Sequence, residues 1–228
     1  WQYQKNGLSI QEVLQKAIFK FSREKVSVIG AGRTDAGVHA ICQTAHFDLQ
    51  KKIKKSSFLK GVNRYIGNKS VAILDIKKTN NKFHSRFDAK ERIYQYVIIN
   101  RQSPLALQKN KAWHIRKKLD LKAMKKGAKL LIGTHDFSTF RAASCGAKSP
   151  IKTMEKVLIK KNRDKISLQF TSRSFLQQQV RSMVGSIKYL GEGKWNLNDF
   201  KKSFKSKSRL KCAPPAPACG LYLKKIVY

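Results

Sequence analysis

Apolar residues recur at helical spacing in several stretches of the chain, with β-prone runs between them. Ser9-Ile10-Gln11-Glu12 has the form of a capping box, and Ile10, Val13, Leu14, Ala17, Ile18 and Phe21 continue as one apolar stripe. This pattern predicts a first helix. Residues 26–29 read as a short strand entering a Gly-rich loop, Gly30 to Ala40, and residues 41–47 as a strand leaving it. A second helix is expected over 57–66 and a strand over 71–76. Residues 92–100, Arg-Ile-Tyr-Gln-Tyr-Val-Ile-Ile-Asn, are dominated by β-branched and aromatic side chains and predict a strand. Asp120 is placed to cap a helix carrying Leu121, Met124, Ala128, Leu131 and Ile132. Strands are expected over 156–159 and 166–171, then a long helix over 175–190 with Leu176, Val180, Met183, Val184, Ile187 and Leu190 on one face. The last stretch begins Pro-rich and extended and ends as a strand. These elements sort into two α+β units, residues 1–88 and 89–228. The chain opens at Trp1 without a methionine, and a further strand is expected before it.

Composition sharpens this picture. Hydrophobic residues make up 41% of the 228 positions and aromatics 10%, enough to fill real cores and against a disordered chain. Lys and Arg number 49 against 13 Asp and Glu, a formal charge of +36. Such a field attracts polyanions, and cations set against phosphates release condensed counterions, so nucleic acid is the natural partner. An anionic membrane surface is the rival, but no apolar stretch is long enough to span a bilayer and no signal-peptide pattern is read. Cys42, Cys145, Cys212 and Cys219 form no C-x-x-C pair, and the five histidines lack metal-ligand spacing. Reduced thiols in a cytoplasmic setting and no metal are expected.

An acid inside a Gly-rich loop is out of place in so basic a chain. Gly30-Ala-Gly-Arg33-Thr34-Asp35-Ala-Gly-Val-His39-Ala40 lacks the Lys-Ser/Thr ending of a P-loop. One reading of Asp35 is a β-turn with an Asx cap; the other is a nucleophile or base whose ionised form a nearby cation supports.

Residues 32–40 resemble the signature of the TruA family of tRNA pseudouridine synthases, and the likeness continues in order along nearly the whole chain. Trp1-Gln2 with Gln11-Glu12 is similar to the family's opening. Phe83-His84-Ser85-Arg86-Phe87 followed by Arg92-Ile93-Tyr94-Gln95-Tyr96 is similar to its central motif. His135-Asp136-Phe137 with Phe140-Arg141, Phe175-Leu176 with Val180-Arg181 and Val184-Gly185, and residues 216–223 complete the set. The resemblance implies two ferredoxin-like, RRM-like α+β units with mainly antiparallel sheet and an active-site cleft between them. It implies isomerisation of uridine to pseudouridine at positions 38 to 40 of the tRNA anticodon stem-loop, without cofactor, by a cytoplasmic homodimer. Carried over, Asp35 falls on the catalytic aspartate, which attacks C1′ or promotes a glycal intermediate. Arg181 falls on its arginine partner, Tyr94 on the tyrosine that stacks on the uracil, Arg33 on the arginine that displaces the base, and Leu221 on the pocket lining. Gln179 departs from the family pattern, standing where Met usually precedes Val-Arg. His39 and His135 lie in motif stretches but are read as supporting or structural. A non-catalytic RNA-binding protein and a metal-dependent nuclease using Asp35 are the competing readings. The first has no need of Asp35, Tyr94 and Arg181 together, and the second lacks further clustered ligands.

Overall fold

The computed structural model describes residues 1–4 and 7–228, which cluster into two units. The first comprises Trp1–Thr34 and Gln43–Ala89, the second Asp35–Cys42 and Lys90–Tyr228.

In the first unit, Ser9 Oγ accepts the Glu12 N–H at 3.1 Å and opens helix α1 (Ile10–Ser22). Glu12 itself pairs with Lys16, so only the serine half of the capping box forms. Val13, Ala17 and Ile18 pack with Phe58, Val62 and Ile66 of helix α2 (Lys55–Ile66). Gly61 makes this packing possible, because a Cβ there would lie 2.2 Å from the Phe21 ring. Three two-residue strands flank or end the Gly-rich loop: β1 (Ile29–Gly30) and β3 (Ala45–His46) in this unit, and β2 (His39–Ala40), which belongs to the second. β1 pairs antiparallel with β3.

Two strands expected from the sequence shrink or vanish here, for one physical reason. Val71, Ile73 and Ile76 do pack on the α1–α2 core, but residues 71–76 join no sheet. Asn63 replaces the neighbouring strand: its Nδ2 donates to Ile73 O at 2.9 Å, and its Oδ1 accepts the Ile73 N–H at 2.8 Å. Val28 is held likewise, its N–H by Gln15 Oε1 and its carbonyl by Gln11 Nε2, so the strand expected over 26–29 narrows to its last residue plus Gly30. Side-chain amides satisfy the backbone where a ladder was expected. Of the strand expected over 41–47 only β3, Ala45–His46, forms.

The second unit is built on β4 (Glu91–Asn100), β5 (Trp113–Ile115), α3 (Leu121–Lys129), β6 (Gly133–Asp136), β7 (Ile151–Asn162), β8 (Lys165–Ser172), α4 (Gln179–Gly191), α5 (Leu197–Lys205) and β9 (Leu221–Val227). Its sheet runs β2-β9-β4-β8-β7-β6, with β5 beside the end of β4. Pairing is antiparallel except β2 with β9 and β4 with β5. The fold class is therefore α+β with a mostly antiparallel sheet. Asp120 caps α3 through two backbone N–H groups. Gly127 admits Leu190 of α4, whose Cδ1 would lie 2.2 Å from an added Cβ. The helix expected over 175–190 starts only at Gln179, because Gln178 adopts φ +59° and Gln179 Oε1 turns back to accept the Leu176 N–H at 2.8 Å. Helix α5 lies outside the elements expected from the sequence; a full capping box of Asn196 and Asp199 starts it. Among the described residues no helix is long and apolar enough to cross a membrane.

Candidate active site

Residues 35–42 cluster with the second unit because β9 holds them. His39 pairs with Tyr222 and Ala40 with Leu223, and the Ile41 N–H donates to Leu223 O at 2.8 Å. The His39 ring stacks on Tyr222 at 4.7 Å and its Nε2–H donates to Asn110 O at 3.0 Å. Asp35 begins a tight turn closed by the Val38 N–H onto its carbonyl at 3.1 Å. Gly37 occupies the third turn position with φ +78°, and a Cβ there would also press on Ala218 at 3.3 Å. Only glycine meets both demands at low cost. The turn therefore presents the Asp35 side chain at its first position.

Arg181 sits in the first turn of α4 and is tied to the Pro-rich stretch and to Asp35 at three points. The Ala216 N–H donates to Arg181 O at 2.9 Å, Arg181 Nε donates to Ala216 O at 2.8 Å, and Nη1 donates to Asp35 Oδ2 at 3.2 Å. A planar guanidinium can bridge a carbonyl and a carboxylate in fixed directions, which an ammonium cannot. Gly185, one turn along, lets the stretch lie against the helix: a Cβ there would be 2.0 Å from Pro214 O. On its other side the stretch is pinned by Tyr96, whose hydroxyl donates to Pro217 O at 2.7 Å. The Arg181 side chain is more enclosed than that of Asp35, which keeps 32% of its surface exposed.

Tyr94 stands two residues before Tyr96 on β4 and is 8% exposed. Its ring meets Phe175 edge-to-face at 5.1 Å. Burial pushes its phenol up to about 12; Arg92 opposes that rise and the negative charge of Asp35 adds to it. The hydroxyl therefore stays protonated at neutral pH and lies within electrostatic reach of Asp35. Leu221 is buried at the start of β9, opposite Tyr96 rather than Tyr94. Arg33 belongs to the first unit, is exposed, and makes no side-chain hydrogen bond or ion pair among the described residues. So Asp35 and Arg181 meet, Tyr94 is coupled to Asp35 through its charge, Leu221 lies in the adjacent strand, and Arg33 projects freely.

The Ala216 carbonyl, the Tyr96 hydroxyl and the Phe175 ring escape sequence reasoning. The first is a backbone group, and the other two stand in the motif stretches without a role assigned to them. Gln179 is fully buried, and its Nε2 finds no hydrogen-bond partner among the described residues. His135 makes none of these contacts: its Nε2–H donates to Ile132 O at 2.8 Å and its ring packs on Phe137 and Phe204. Among the described residues no three His, Cys, Asp or Glu side chains converge on a possible metal position.

With this geometry in hand, comparison with known proteins is direct. A family model described as tRNA pseudouridine synthase matches residues 1–88 and 128–228. The tRNA pseudouridine synthase A of Pelagibacter ubique (strain HTCC1062) is 58% identical over 229 residues, covering 100% of this chain and 93% of that protein. The protein of the same name from Maricaulis maris (strain MCS10) is 42% identical over 100% of this chain and 92% of its own length. That of Beijerinckia indica subsp. indica is 43% identical over 100% of this chain and 88% of its own.

Proposed function

From the premise that this chain belongs to the tRNA pseudouridine synthase family and is an isomerase acting on tRNA, we propose that Asp35 acts on a flipped-out uridine at positions 38 to 40 of the anticodon stem-loop. The observation that carries the reading is the Asp35–Arg181 pair at 3.2 Å, with Arg181 itself fixed on Ala216. A pure RNA-binding surface has no use for an oriented carboxylate facing phosphates.

The reaction breaks N1–C1′ and joins C1′ to C5; the C5 proton leaves and N1 takes one up. No electron carrier is needed. Asp35 either attacks C1′, giving a covalent ester, or promotes loss of the uracil as a glycal forms. In both routes Arg181 holds the carboxylate in one direction while charge shifts at the sugar. Tyr94 stacks on the uracil and, being protonated, is a poor base but a good hydrogen-bond donor. Arg33 fills the space of the extruded nucleotide, whose unstacking costs a few kcal/mol. Leu221 lines the base pocket. The charge of +36 holds the tRNA by its phosphates. A homodimer in the cytoplasm completes the proposal.

The test is tritium release from C5-labelled uridine in tRNA, with EDTA present, comparing wild type with Asp35→Asn. Release by wild type and its loss in the variant are expected. Full release by Asp35→Asn would sink the role given to Asp35. Tight tRNA binding without release by wild type would favour a binding protein, and loss of release in EDTA would revive a metal.

A further inference from the structure

The motif stretch Phe83–Phe87 is left without a task by this mechanism, yet the first unit gives it a specific one. The loop that carries Arg33 is closed by the β1–β3 stem, and that stem is only two residue pairs long, Ile29 with His46 and Gly30 with Ala45. So short a ladder is not stable alone. Above it, the Ala31 N–H donates to Thr44 O at 2.8 Å and Gln43 Nε2 donates to Gly32 O at 2.7 Å. Arg33 follows directly, so whatever holds the stem sets where its side chain starts.

Ser85 holds it. This residue is fully buried, and its Oγ lies 2.8 Å from Ile29 O and 2.9 Å from His46 Nδ1. Its backbone N–H points at the same Nδ1 at 3.2 Å. One serine thus grips both strands of the stem at the same residue pair. A backbone N–H can only donate, so Nδ1 must offer a lone pair, and the imidazole is then neutral with its hydrogen on Nε2. The Ser85 hydroxyl hydrogen has two acceptors in range, Ile29 O and Nδ1. A proton placed on Nδ1 would face the Ser85 N–H and break that contact.

The surroundings favour the neutral ring. His84 lies 4.7 Å away, and its own Nδ1 accepts the N–H groups of Arg86 and Phe87 at 3.2 Å each. Burial and His84 push the His46 pKa down, while Asp48, beyond β3, and Asp88, in the 83–88 turn, pull it up. The Asp88 carboxylate is partly engaged by the His84 N–H at 2.7 Å.

We propose that His46 and Ser85 are positioning residues for the uridine isomerisation: with His46 neutral they clamp the stem of the Arg33 loop, and protonation of His46 loosens it. The inference rests on the function proposed above. Because Arg33 acts on bound tRNA, the clamp governs kcat rather than KM.

Tritium release is followed against pH for wild type, His46→Asn, His46→Phe and Ser85→Ala. The Asn carboxamide oxygen occupies the place of Nδ1, accepts the same N–H and does not titrate. Wild type is expected to lose kcat below the ordinary histidine value of 6.5. His46→Phe is expected to lose about tenfold or more in kcat at every pH with KM little changed, as is Ser85→Ala. His46→Asn is expected to restore most of the loss and to lack the acid limb. An unchanged kcat in His46→Phe, or an unchanged acid limb in His46→Asn, would overturn the proposal. Where His46→Phe does not fold, the His46→Asn profile decides. Nitrogen-15 shifts of His46 in the wild-type chain read the Nε2–H tautomer without any turnover. Failure of the proposed function, seen as no release by wild type, is thereby kept apart from failure of the clamp, seen as an Nδ1–H or charged ring at pH 8.

Discussion

Arg181 joins three parts of the chain with one side chain. Its Nε is spent on the Ala216 carbonyl, leaving Nη1 to meet Asp35 from a fixed direction. Replacing it by alanine removes a charge-assisted hydrogen bond of ~1.5–3 kcal/mol, which as lost transition-state stabilisation is about 10- to 150-fold in kcat/KM. Because the pair retains some exposure, the lower end is the better expectation. Arg181→Lys should recover little, since an ammonium cannot serve both acceptors in that geometry. Single-turnover rates with enzyme in excess over tRNA check this, and an unchanged rate for Arg181→Ala would refute the pairing's role. At this scale the candidate residues were legible only through motif resemblance. Composition alone makes Arg181 a solvated helix charge and Tyr94 a core residue. The turn reading of Asp35 holds, and the turn leaves its carboxylate in contact with Arg181.

Among the elements, α4 depends on two positions that periodicity does not mark. Gln179 starts the helix four residues later than the apolar stripe predicts, because its amide captures the Leu176 N–H and Gln178 takes a left-handed conformation. A stripe of apolar residues reports burial, and Leu176 is buried without being helical. Gly185 allows the Pro-rich stretch to approach the helix backbone. Gly185→Ala would place a Cβ 2.0 Å from Pro214 O, a clash with backbone that no rotamer relieves. Such overpacking costs typically ~1–3 kcal/mol, or about 2–4 °C in Tm for each kcal/mol in a chain of this size. The variant should also lose activity beyond its loss of stability, since Ala216 carries the guanidinium; calorimetry and turnover on one preparation separate the two. The strands predicted over 26–29 and 71–76 fail for the complementary reason. Alternating apolar residues there do pack, but the amides of Gln11, Gln15 and Asn63 occupy the ladder positions.

Charge dominates the behaviour of the whole molecule. With +36 spread over 228 residues, tRNA affinity should fall steeply with salt. A protein making 6–10 phosphate contacts loses roughly 10³–10⁵ in affinity between 50 and 200 mM salt. KM for tRNA is expected to rise accordingly while kcat at saturation changes little, because the Asp35–Arg181 pair is partly enclosed and less screened. A salt-independent KM would mean that the positive surface is not the tRNA-binding surface. The sequence by itself determined this polyanion-seeking field, the α+β class, the longer helices and strands, and the motif residues. Each of these follows from local propensity, amphipathic period or residue identity, which one stretch of chain carries alone. Only the tertiary structure decided that residues 35–42 cluster with the second unit through β9, that Arg181 reaches Asp35 from the Ala216 carbonyl, and that Ser85 grips the β1–β3 stem. Those outcomes depend on which distant backbone groups find partners, and the partners lie tens to more than a hundred residues away along the chain.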